Sequence, residues 1–177
     1  LRIVPMYKHT GTIVTATGTL LPEAKARVAS AMNAYRPLAG PFFGSKALAR
    51  HDLLMAMNAL IMSRLLLSAQ AWISPSQHAM DQLAHCHVKV LRRIAGVWRH
   101  EGGLTDRQVH CLLDQPMVEG LVRQARLRYL PRLLAHAPKI LRALLQSPDD
   151  QATEWAAMAT TDIRHMWHSC HKLAELP

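Results

Sequence analysis

Cysteine is scarce in this 177-residue chain, and so is acid. The three cysteines, Cys86, Cys111 and Cys170, are odd in number, widely spaced and form no C-x-x-C pair. That pattern argues against a disulfide framework and fits a reducing, intracellular setting, nuclear or cytoplasmic. Asp and Glu number 12 against 21 Lys and Arg, for a formal net charge of +9. Such an imbalance calls for an anionic partner, and nucleic acid is the commonest one. An uncharged apolar run long enough for a bilayer is also missing. The longest candidate, Leu53 to Ile73, carries Arg64 near its middle. A charge at a bilayer centre costs roughly 2.5–3.5 kcal/mol, so this run reads as a buried helix and no membrane partner is expected. No secretory leader pattern opens the chain, and a start at Leu1 rather than methionine suggests an excerpt from a longer polypeptide.

What is present is a composition able to fold. Half of the residues are apolar, and the length fits one domain, or one domain with a tail. The charge is uneven: up to Gln146, nineteen Lys and Arg face seven acids, whereas beyond it two face five. A basic surface would therefore belong to the body and not to the tail.

Arg2 to Leu20 is the one strand-like stretch, rich in Val, Ile and Thr and punctuated by Gly11 and Gly18. From Pro22 the period turns helical, with Ala24, Val28, Ala31 and Tyr35 as a stripe that Arg36-Pro37 ends. A long central helix is expected over Ala47 to Trp72, with Trp72 in the core beside Ile73. Ser74-Pro75 opens a helix to Ala95 with Gly96 at its C-terminal end. After a flexible Glu101-Gly102-Gly103, Thr105 caps a short helix to Leu113, and Pro116 opens a longer one to Ala137. Pro138 to Leu145 and Asp149 to Ala174 complete the set, the latter behind a Ser147-Pro148 cap. The fold expected is mainly α: a short hairpin at 1–20, then six to seven helices, comprising a helical domain at 21–146 and a helical tail at 147–177.

Four motifs occur in order: Tyr7-Lys8-His9-Thr10-Gly11, then Leu65 to Trp72, then His87-Val88-Lys89-Val90-Leu91-Arg92-Arg93-Ile94-Ala95-Gly96, and last Leu121-Val122-Arg123-Gln124-Ala125-Arg126-Leu127-Arg128-Tyr129-Leu130. The succession resembles the region downstream of the catalytic palm in non-LTR (LINE-type) retrotransposon reverse transcriptases. The resemblance covers about Tyr7 to Ala137 and implies a primer-grip hairpin, a thumb and a following connector. It makes Tyr7, Lys8 and Gly11 primer-grip-like, with His9 and Thr10 departing from the family pattern. It also implies an RNA/DNA duplex as partner, along with the palm and fingers of the same polyprotein.

Residue patterning adds to that expectation. In the Ser74–Ala95 helix, Met80, Leu83, Ala84, His87, Leu91 and Ile94 recur at core spacing, while His85, Lys89, Arg92 and Arg93 share another face. In the helix after Pro116, Val118, Leu121, Val122, Ala125, Tyr129 and Leu133 form the inner stripe. Arg123 and Arg126 then lie on one flank, with Arg128 and Arg132 on the other. Lys89, Arg92, Arg93, Arg123, Arg126, Arg128 and Arg132 are thus the candidate phosphate contacts. A solvated basic surface is the alternative.

Catalysis is not expected from this chain. Two-metal polymerase chemistry needs an Asp-Asp turn upstream of the primer grip. The only adjacent aspartates, Asp149-Asp150, lie far downstream in a helix-start context. Mg²⁺ would accompany the absent palm. His165, His168, Cys170 and His171 crowd one helical segment, but a closed zinc site takes four ligands, usually from two segments, and no metal is assigned. The alternative function is that of a decayed-element remnant serving at most as a helical interaction module.

Overall fold

The computed structural model describes residues 4–9, 11–73, 75–97, 103–139, 143 and 150–174, without the side chains of 9, 150–153 and 169–174. Thr10, Ser74, Glu101-Gly102, the Ser147-Pro148 cap and most of the expected Pro138–Leu145 helix lie outside the described residues, as do the side chains of Cys170 and His171.

Strand β1 (Met6–His9) pairs antiparallel with β2 (Thr12–Thr15), with Met6 opposite Thr15 and His9 opposite Thr12. Gly11 turns the chain with φ +90°, a conformation that residues bearing a Cβ rarely adopt. A lone two-stranded hairpin is marginal in water. This one is tied to α1 (Leu21–Tyr35). The buried Glu23 carboxylate accepts the Ile13 amide at 2.6 Å and Arg27 Nε at 2.6 Å, and Arg27 Nη2 donates to the Gly11 carbonyl.

The expected mainly-α architecture holds, with the hairpin followed by helices. Helix α2 (Arg50–Met57) passes through a π-type turn (Asn58–Met62) into α3 (Ser63–Leu65). Helix α4 (Gln77–Ala95) is capped by Ser76, whose side chain accepts the Ala79 amide, and closes on left-handed Gly96. Thr105 and Gln108 form a reciprocal capping box for α5 (Asp106–Leu112). Helix α6 (Val118–His136) and helix α7 (Asp150–Ala174) follow. No helix among the described residues is long and apolar enough to cross a membrane.

The chain divides into two compact units. The first comprises Leu1–Leu67 with Pro75–Gly120 and centres on α1, which packs against α4 and against the α2–α3 run. Ala24, Ala31, Met57, Ile61, Leu65, Leu83 and Leu91 are fully or almost fully removed from solvent there. The second comprises Ser68–Ser74 with Leu121–Pro177, and its core holds Leu133, Ala137, Trp155 and Ala159, with Ile73 packed against it.

That division corrects the expected Ala47–Trp72 helix. The helix begins at Arg50 and stops at Leu65; Ser68 then takes the left-handed conformation (φ 65°), a single 3₁₀ turn covers Ala69–Ala71, and Trp72 is extended. Apolar periodicity runs on without a break, but the residues after Leu67 serve a different core. The indole N–H of Trp155 donates to the Gln70 carbonyl at 3.1 Å. Trp72 itself is buried, as expected, at 3 % exposure.

Candidate nucleic-acid interface

In α4 the sequence separates two faces, and the fold uses both. Ala79, Met80, Leu83, Cys86, His87, Val90, Leu91 and Ile94 are buried, whereas His85 and Lys89 are exposed. Arg92 and Arg93 lie between these extremes because each has internal work. Arg92 Nη2 donates to the Leu104 carbonyl at 2.8 Å and to Asp106 Oδ1 at 2.7 Å, fastening the start of α5 to α4. Arg93 Nε donates to the Ala39 carbonyl at 2.7 Å. Its guanidinium lies on Gly44 so closely that a Cβ there would come within 2.7 Å of Cζ. Burial raises the pKa of the Tyr35 phenol, and the Arg93 charge opposes that rise.

Beside Arg93 opens a cavity of about 780 Å³, entirely within the first unit. Leu48 and Ala95 give it apolar surface beside the buried Phe43, Leu53 and Ile94, and Lys46, Arg50 and Arg93 give it positive charge. Among the described residues no carboxylate lines it. Lys46 and Arg50 are exposed and, among the described residues, have no ion-pair partner; the same holds for Lys89, one helical turn before Arg93. Lys46 and Arg50 were not among the residues expected from the sequence. The signal was a run of two aromatics, a glycine and two cations without an acid, from Phe42 to Arg50. The glycine in that run is the residue that admits Arg93.

The arginines of α6 behave differently from their expected placement. Val118, Val122, Arg126, Leu133 and Ala137 are buried, so Arg126 stands in the inner stripe and not on a flank. It pairs with the buried Asp162 of α7, and Arg123 reaches the same carboxylate at 3.6 Å. A charge can occupy a core position only when paired, and the partner is 36 residues away, beyond the reach of local patterning. Arg128 and Arg132 are exposed. In the hairpin Tyr7 and Lys8 are exposed, while Gly11 serves the turn and the Arg27 contact.

The candidate residues thus divide. Arg93 comes together with Lys46 and Arg50 at one cavity of the first unit, while Lys89 lies one helical turn before Arg93 and outside that lining. Arg92 and Arg126 are committed to intramolecular partners. Among the described residues no group of His, Cys, Asp or Glu could hold a metal ion. His165 and His168 are exposed. Cys86 is buried with its thiol pushed up to about 11 by desolvation, against the opposing charge of Lys89, which makes it a poor nucleophile. No family model, curated protein or solved structure matches this chain.

Proposed function

We propose that this chain is a nucleic-acid-binding element that holds the phosphate backbone of an RNA/DNA duplex without reading its sequence. In this reading it is the primer-grip, thumb and connector portion of a retrotransposon RNA-directed DNA polymerase. The palm and fingers of the same polyprotein would carry Mg²⁺ and the chemistry.

The observation that supports it best is that Lys46 and Arg50, without an ion-pair partner among the described residues, line one cavity with the anchored Arg93, and that no described carboxylate joins them there. A cleft lined by charge of one sign focuses the field and raises the local concentration of an external anion. Each phosphate neutralised releases counterions, so affinity must fall steeply with salt. Exposed Lys8, Arg128 and Arg132 extend the cationic surface of the unit to which each belongs.

The test is titration of a labelled RNA–DNA duplex over a series of salt concentrations, with Lys46→Ala/Arg50→Ala/Lys89→Ala in parallel. The parent should bind with a log–log salt slope of about −3 or steeper, and the triple variant should lose roughly 2 to 3 in slope. Affinity independent of salt, or unchanged in the triple variant, refutes the reading.

A further inference from the structure

We propose that the cavity beside Arg93 is a seat for the phosphorylated terminal nucleotide of a nucleic-acid strand. The inference rests on the nucleic-acid reading above and assigns that site a more specific ligand.

Two features of the cavity select this class. The first is size: about 780 Å³ falls within the range of small-ligand sites, roughly 300–1,000 Å³, and exceeds what a bare phosphate fills. Room therefore remains for an attached sugar and base, against the exposed apolar side chain of Leu48.

The second is charge. A phosphate monoester carries about −1.5 to −2 at neutral pH, with a second pKa of about 6, whereas an internal diester carries a single charge. Lys46 and Arg50 can turn to the phosphate, and Arg93 contributes a fixed positive charge even while it holds the Ala39 carbonyl. Helix α2 begins at Arg50 with no side-chain cap, so the positive end of its backbone dipole adds to the same field. Ala95 and Gly96, at the negative end of α4, also line the cavity and oppose this in part. Three full cations outweigh half an elementary charge.

The experiment uses the full chain and short single-stranded oligonucleotides of one sequence, ending in either a 5′-phosphate or a 5′-hydroxyl. Binding is read by fluorescence anisotropy at fixed salt, with inorganic phosphate and a nucleoside 5′-monophosphate as competitors. The phosphorylated strand should bind about tenfold tighter than the hydroxyl-ended one. That difference should vanish in Lys46→Ala/Arg50→Ala, whose exposed side chains leave the melting temperature unchanged. It should persist in Lys89→Ala, which weakens both strands alike. The nucleoside monophosphate should compete better than inorganic phosphate. If hydroxyl-ended and phosphorylated strands bind equally and with strong salt dependence, the terminal seat is refuted while backbone binding stands. Should the phosphate advantage survive in the double variant, or inorganic phosphate compete as well as the nucleotide, the assignment to this cavity fails. Absence of binding by either strand refutes both readings.

Discussion

His87 is the residue through which the first unit should sense acid. Its imidazole is 1 % exposed on α4, and neither ring nitrogen has a hydrogen-bond partner. It stands edge-to-face on His110 of α5 at 5.1 Å between centroids. The Nδ1 of His110 lies 3.1 Å from the Gln115 carbonyl, which fixes that ring as a donor to the backbone. Burial pulls the pKa of His87 from 6.5 down to about 4, and the neighbouring His110 adds to the fall. The folded state therefore resists protonation that the unfolded chain accepts. The contribution of His87 to stability is full above about pH 6.5 and drains away as the pH falls towards 4. At about 1.4 kcal/mol per pH unit, the complete loss is on the order of 3 kcal/mol. A His87→Met variant keeps the volume and removes the ionisation. It also removes a buried donor without a partner, so it should be at least as stable as the parent at neutral pH. Urea unfolding of both proteins at several values between about pH 7.5 and 4.5 makes the comparison, because every other ionisable group is common to both. The parent should lose about 2–3 kcal/mol more than the variant over that interval. Parallel stability–pH curves would show that burial of His87 is not what acid disrupts.

Other outcomes follow from the same packing. Asp162→Ala leaves Arg126 buried and unpaired, and should cost about 3–5 kcal/mol in the second unit, measured as faster hydrogen exchange along α6 and α7. Trp72→Ala should cost about 3–5 kcal/mol by urea unfolding, as expected for a large buried aromatic. Cys111, exposed, should react with a thiol reagent under native conditions while Cys86 stays protected; equal labelling of the two would contradict the burial of α4. Primer extension on an RNA template with Mg²⁺ or Mn²⁺ should be absent, because the chain carries no Asp-Asp turn ahead of its hairpin; activity surviving contaminant controls would overturn that expectation.

Local chemistry was the legible part of this fold. Gly96 as a C-terminal stop, Thr105 as a cap and the Val/Ile/Thr pattern of the hairpin each act within a few residues, and each appears where its chemistry requires. Helical spacing sets Arg126 with Arg123 on a flank of the inner stripe; only Asp162, far along the chain, makes its buried position tolerable. Arg92 and Arg93 looked like a free basic edge because their acceptors, Asp106 and the Leu104 and Ala39 carbonyls, belong to other segments. Backbone acceptors leave no trace in composition. The cavity was hidden for a similar reason: its charge is assembled from a loop and a helix end some forty residues apart. Continuous apolar spacing from Leu53 to Ile73 likewise carries no mark of which core each turn joins.

The excursion of Ser68–Ser74 into the second unit has a consequence for how the chain can be made and cut. Ribosomal synthesis delivers Trp72 and Ile73 long before Leu133 and Trp155, so these side chains wait, uncovered, while the intervening Pro75–Gly120 segment folds back into the first unit. No single scission can release either unit whole. A cut after Gly120 strands Trp72 and Ile73 on the leading fragment, while the trailing fragment loses the Gln70 carbonyl that its Trp155 indole requires. Truncated forms ending near Gly120 should therefore aggregate, and the two pieces should recover solubility when they are co-expressed.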